Sequence, residues 1–190
     1  MLALRRPGER RLEALAVAVR ERPLTYDEVG ATALAELPAR YHHERARREV
    51  GRGEVAWQLA QEALRRWEAH RGSGMRLAPA GAPLEPGTVV VAAAGLGPLY
   101  VLLPCRIVDA TDEPGRFGFA YGTLRGHPEH GEEAFHVTRD GREVVGLEIV
   151  AFSRPAWPPG PLAAPLSHAV QRQATRRYLD AVARFVAERR

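Results

Sequence analysis

Apolar positions along the chain change period several times, and each change marks an element. Leu12, Leu15, Ala16 and Val19 recur at helical spacing and Pro23 ends the run, which predicts a short helix over 8–20. Residues 24–32 (LTYDEVGAT) are β-branched and aromatic without a helical stripe and read as a first strand. Residues 41–50 (YHHERARREV) read as a short charged helix, cut by Gly51 and Gly53. Trp57, Ala60, Leu64 and Trp67 then put one apolar face on a helix from Glu54 to about His70, with Gly72 as its C-cap.

From 75 to 154 the period shortens. Runs at 75–78, 87–94, 99–109, 116–124, 132–139 and 143–153 alternate with Gly-, Pro- and Asp-rich turns, the pattern of an antiparallel meander. Asp140-Gly141 reads as a two-residue type I′ hairpin loop. A Pro-rich connector (155–161) leads to a long helix, about 162–188, whose apolar face carries Ala174, Tyr178, Val182 and Phe185. A sheet with one apolar face needs a cover, and this last helix is the one element long enough. The expected fold is therefore α+β and helix-grip: a curved meander around a long C-terminal helix, with short helices after the first strand and a space enclosed between. One domain is expected over 1–190, with 1–22 a helical extension and 23–188 the helix-grip core.

Alternation of side chains converts this layout into a candidate site. A two-residue loop at Asp140-Gly141 pairs Val137 with Val144, Phe135 with Gly146 and Glu133 with Glu148. Tyr121 then faces Phe135 and Thr123 faces Glu133, and Val150 and Phe152 join the same inner face. The candidate ligand-binding set is Phe119, Tyr121, Thr123, Glu133, Phe135, Glu148 and Arg154: an apolar cavity with one polar end, suited to a ligand with an apolar body and a polar head. Two opposed carboxylates need an Arg, a shared proton or a cation between them, and a raised pKa on one would permit acid–base work. A register slip by one residue would turn these acids outward.

Other candidates weigh less. His127, Glu129, His130, Glu132 and Glu133 are metal-ligating types within seven residues, but known zinc spacings are absent and a polar hairpin loop is the simpler reading. His42, His43 and Glu44 suit local capping better than catalysis. Cys105, within a strand, reads as a packing residue, and Trp57 and Trp67 as core. Trp157 in the connector is a candidate either to cover one end of the cavity or to pack on the final helix. No phosphate-binding loop and no G-x-S-x-G elbow occur, so no cofactor is expected.

Composition changes this picture little. Hydrophobic residues make up 45% of the 190, enough for an ordinary core. The net charge of +4 comes entirely from Arg, since the chain holds no lysine, and no Arg–aromatic stripe points to nucleic acid. The one cysteine excludes an internal disulfide, no apolar run is long enough to span a membrane, and a cytoplasmic location is expected. The sequence does not fix the oligomeric state.

The segments LTYDEVGAT (24–32), GRGEVAWQLAQEALRRW (51–67), PCRIVDATDE (104–113), GFAYGTLRGHPEHGEEAFHV (118–137), AFSRPA (151–156) and RRYL (176–179) together resemble an uncharacterised family, domain of unknown function nineteen-ninety. The resemblance spans about 12–185. One departure is Arg125, where the family leads one to expect Pro after YGTL. The family in turn resembles the helix-grip superfamily of START and birch-pollen-allergen domains, which implies a cavity for an apolar molecule but no particular catalytic residue. Three classes of function stay open: a binding module for a small apolar or amphipathic ligand, an enzyme using the same cavity (a cyclase, dehydratase or hydrolase-like activity), and a ligand-free interaction domain.

Overall fold

The computed structural model describes residues 1–96, 99–156 and 163–190. Its elements run β1 (Leu2–Ala3), α1 (Glu9–Ala18), β2 (His42–Arg52), α2 (Gly53–Arg65), α3 (Glu68–Gly72), β3 (Arg76–Ala78), β4 (Val89–Leu96), β5 (Leu99–Glu113), β6 (Arg116–Thr123), β7 (Glu129–Arg139), β8 (Val144–Pro155) and α4 (Ala163–Ala187). The strands form one antiparallel sheet in the order β2-β8-β7-β6-β5-β4-β3, and β1 pairs the stretch of β5 that lies beyond the end of β6. Helix α4 crosses the inner face, packed against α2, α3 and β2. Among the described residues no helix is long and apolar enough to cross a membrane.

The main core fills the space between the inner face and these helices. Phe117, Phe119, Phe135, Val137, Leu147 and Ile149 meet Trp67, Tyr178, Val182 and Phe185 there. The outer face is covered as well. Leu12 and Ala16 of α1 and Val19 just beyond it pack on Val91, Ala93, Leu102 and Leu124, so the N-terminal helix lies against its own sheet. Farther along, Tyr26, Ala31 and Tyr41 pack on Phe152.

Three expectations are corrected. Residues 24–32 are not a strand. Beyond one bridge at Leu24 and a 3-10 turn at Ala31–Ala33, they form an irregular strap across the outer face. What holds the strap is Glu132, whose buried carboxylate accepts from Tyr26 Oη at 2.7 Å, Gly30 N at 2.7 Å, Thr32 N at 3.0 Å and Thr32 Oγ1 at 2.5 Å. Residues 42–52 are not a helix but the edge strand β2, paired with β8. Their Arg, Glu and Ala favour helix locally, but the pairing supplied by β8 overrides that weak preference, and dense charge is what an exposed sheet edge tolerates.

The third correction concerns register. The Asp140 side chain accepts from Arg142 N at 2.9 Å and Val144 N at 3.0 Å, and Glu143 takes the left-handed conformation (φ 60°). The loop is thereby lengthened into a turn closed by a left-handed residue rather than a two-residue loop. Arg139 pairs with Val145, Phe135 with Ile149 and Glu133 with Ala151. The shift is three residues, an odd number, so β8 presents the opposite set of side chains to the interior. Glu148, Val150, Phe152 and Arg154 therefore face outward. The β6–β7 register differs by two, an even number, with Tyr121 beside Glu133 and Phe119 beside Phe135, and that face is kept.

Candidate functional site

A cavity of about 380 Å³ lies between the inner face and α4. Its deep wall is apolar and comes from strand positions that alternate inward: Leu77, Val90, Ala92, Leu103 and Cys105. Ala174, Thr175 and Tyr178 of α4 close the opposite side. Among the described lining residues the most exposed are Gly95 at one end of β4 and Val170 on α4.

The polar groups gather at one place. Tyr121 Oη donates to Glu133 Oε2 at 2.7 Å, and His70 Nε2 lies 3.0 Å from the same Oη. Because the hydroxyl proton goes to Glu133, the ring nitrogen is the donor in the second bond, which makes Nδ1 the bare nitrogen. His70 reaches this position because the predicted single helix over 54–70 breaks at Trp67, which is buried and left-handed (φ 58°), with its Nε1 donating to Ala82 O at 2.9 Å. The short α3 that follows turns His70 onto the rings of Tyr121, Phe135 and Tyr178, 5.0 to 5.6 Å between centroids.

Burial sets the protonation states. It lowers His70 to about 3, so the imidazole is neutral. It raises Glu133 to about 7, with the nearby Glu129 and Glu44 adding to the shift and the Tyr121 hydroxyl opposing it. The Cys105 thiol is pushed up by burial and by the Glu133 charge, which makes it an inert wall residue. Glu133 keeps some accessible surface although it sits deep, because what it faces is the cavity.

The seven candidate residues separate into three groups. Tyr121, Thr123 and Glu133 line the cavity. Phe119 and Phe135 are fully buried beneath it, stacked on each other at 5.4 Å, and support the wall without lining it. Glu148 and Arg154 are on the outer face, Glu148 at 3.5 Å from Arg116 and Arg154 over the Tyr41 ring. Thr123, though at the cavity, uses its hydroxyl on the Gly131 backbone. The 127–133 cluster is divided by the pleat: Glu129 and Glu133 face the cavity, whereas Glu132 anchors the strap. His127 is held neutral by burial, at about 3. The connector and Trp157 lie outside the described residues. Among the cavity residues that the strand pattern did not assign to the site are His70, Glu44, Glu129 and Gln171. For His70 the available signal was a titratable residue at the end of an apolar helix face, two residues before Gly72.

Comparison with known proteins agrees with this description. A UPF0548 protein of Deinococcus radiodurans is 36% identical over 188 residues, covering 94% of this chain and 95% of that protein. A UPF0548 protein of Arabidopsis thaliana is 32% identical over 117 residues, 58% of this chain and 57% of that protein. Among solved structures, the hypothetical protein jhp0584 of Helicobacter pylori matches with a TM-score of 0.57 at 9% identity, over 86% of this chain and 96% of that one. Ara h 8.0201 matches with a TM-score of 0.51 at 14% identity, over 78% and 99%. The fold is thus of the helix-grip, birch-pollen-allergen type. The model of the family described as Domain of unknown function (DUF1990) matches residues 25–181, and this chain belongs to that family.

Proposed function

We propose that this protein binds a small, mostly apolar molecule that carries one polar group, seated between sheet and α4 with that group at Tyr121 and Glu133. The observation that carries the reading is the cavity itself: about 380 Å³, within the usual ~300–1,000 Å³ range of ligand sites, with polar side chains convergent at one place on an otherwise apolar wall. A space of this size would be filled by side chains in a domain that needed only stability.

The test is native and denaturing mass spectrometry of freshly purified protein, together with titration of the neutral fluorophore N-phenyl-1-naphthylamine. Ala92, buried on the wall, is replaced by Leu to fill the space. Ala92→Leu is expected to lower probe affinity about tenfold, or 1.4 kcal/mol, with thermal stability retained. No co-purifying molecule and no probe binding, or equal binding by both proteins, would count against the reading.

The hydrogen-bonded chain supports a second reading, acid–base catalysis in the same cavity, because a carboxyl titrating near neutrality can both give and take a proton. Chemical conversion of a bound molecule, lost in Glu133→Gln, would mark it.

A further inference from the structure

We infer that the cavity selects an amphiphile whose head is a protonated amine over one bearing a carboxylate, sulfate or phosphate. This deepens the binding reading and depends on it.

Charge is the first argument. The chain holds 27 Arg against 23 acidic residues, yet no basic Arg or Lys is among the described residues that line the cavity. The ionisable side chains that line the cavity with Glu133 of β7 come from every neighbouring element: Glu44 and His42 of β2, Glu129 of β7 and Glu132 (whose carboxylate is taken up by the strap), His127 just before β7, Tyr121 of β6, Cys105 of β5, His70 of α3 and Tyr178 of α4. Strand register sets Glu44, Ala151, Glu133 and Tyr121 in one row across β2, β8, β7 and β6. Only the methyl group of Ala151 separates the two carboxylates, which leaves room for a head group between them. A second anion there would meet like charge in a poorly hydrated space, whereas an ammonium supplies the counter-charge that a desolvated carboxylate lacks.

Hydrogen-bonding capacity points the same way. Two buried atoms on the cavity wall have no partner among the described residues, His70 Nδ1 and Gln171 Oε1. Both are acceptors: Nδ1 because Nε2 carries the proton, and Oε1 because Gln171 Nε2 is the atom that donates to Glu129 and Ser153. With Glu133 and Glu44 they make a wall rich in acceptors and poor in donors. An ammonium has three donors and no acceptor; a carboxylate has the reverse. The aromatic rings of Tyr121 and Tyr178 add faces that attract a cation.

The experiment uses three ligands with the same tail, decylamine, decanol and decanoate, each competing with N-phenyl-1-naphthylamine on the full chain at pH 8. Decylamine is expected to displace the probe at least about tenfold below decanol, and decanoate to be weaker than decanol. Lowering the pH to 6 is expected to weaken decylamine while leaving decanol unchanged. On Glu133→Gln, decylamine should lose its advantage and fall to the level that decanol reaches on the same variant. Equal or tighter binding of decanoate, or an amine preference that survives in Glu133→Gln, overturns the inference while decanol and probe binding still uphold the cavity reading. Failure of the probe and all three ligands overturns both.

Discussion

Glu132 and Glu133 are adjacent in β7 and face opposite sides of the sheet, so the same amide substitution at each has opposite consequences. At Glu132 the carboxylate is 2% exposed and each oxygen holds two donors: Tyr26 Oη and Gly30 N on Oε2, Thr32 N and Thr32 Oγ1 on Oε1. Glu132→Gln preserves shape but turns one oxygen into an NH₂ group. In either amide orientation two charge-assisted bonds are lost and a donor meets donors. The hydroxyl of the affected pair can rotate to accept, but the backbone N–H cannot. At ~1.5–3 kcal/mol for each bond to a charged group, with one of the two partly recovered, the expected loss is about 3 kcal/mol. For a chain of this length that is a fall in Tm of roughly 6–12 °C. Urea unfolding at pH 7, followed by circular dichroism, measures it, and probe binding to the folded variant should be unchanged. A loss under about 1 kcal/mol would refute the reasoning, since it would mean that the strap is not held by this carboxylate.

Glu133 gives the opposite sign. Its folded pKa, about 7, lies above the ordinary value of 4.5 because burial disfavours the charge. The stability linked to its proton is therefore full below about pH 4.5, declines as pH rises and is lost above about 7, an effect of about 3 kcal/mol at most. Glu133→Gln should flatten that stretch of the stability–pH curve and be more stable than the parent at pH 8; an unchanged slope would count against the assignment. Gly122→Ala should destabilise by roughly 1–3 kcal/mol, because a Cβ there falls 2.1 Å from Tyr26 Oη and displaces the strap. Gly141→Ala, with open space around it, serves as the control and should be neutral in the same unfolding assay.

Local pattern was enough for much of this protein. The meander over 75–154 shows in the sequence because side-chain alternation and turn chemistry are properties of a few consecutive residues. The same holds for α2 and α4, whose apolar stripes have the helical period, and for the inward face of β6 and β7, which carries Phe117, Phe119, Tyr121, Phe135 and Val137. The positions of Tyr121 and Glu133 followed from that face, since an even error in register does not exchange the two sides of a strand.

Long-range pairing decided the rest. β2 is a strand because β8 offers its edge to a segment whose own composition favours helix. Two backbone hydrogen bonds accepted by the Asp140 carboxylate lengthened one loop and moved Glu148, Phe152 and Arg154 to the outer face, although nothing in those residues themselves distinguishes the two sides. Residues 24–32 have strand composition but pack as a strap, because Glu132, 100 residues away from Thr32, takes up the donors that a neighbouring strand would have paired. His70 enters the site only through the break at Trp67. A sequence specifies period and turn chemistry within a window of a few residues, whereas the partner of each backbone and side-chain polar group is settled only when the whole sheet has closed.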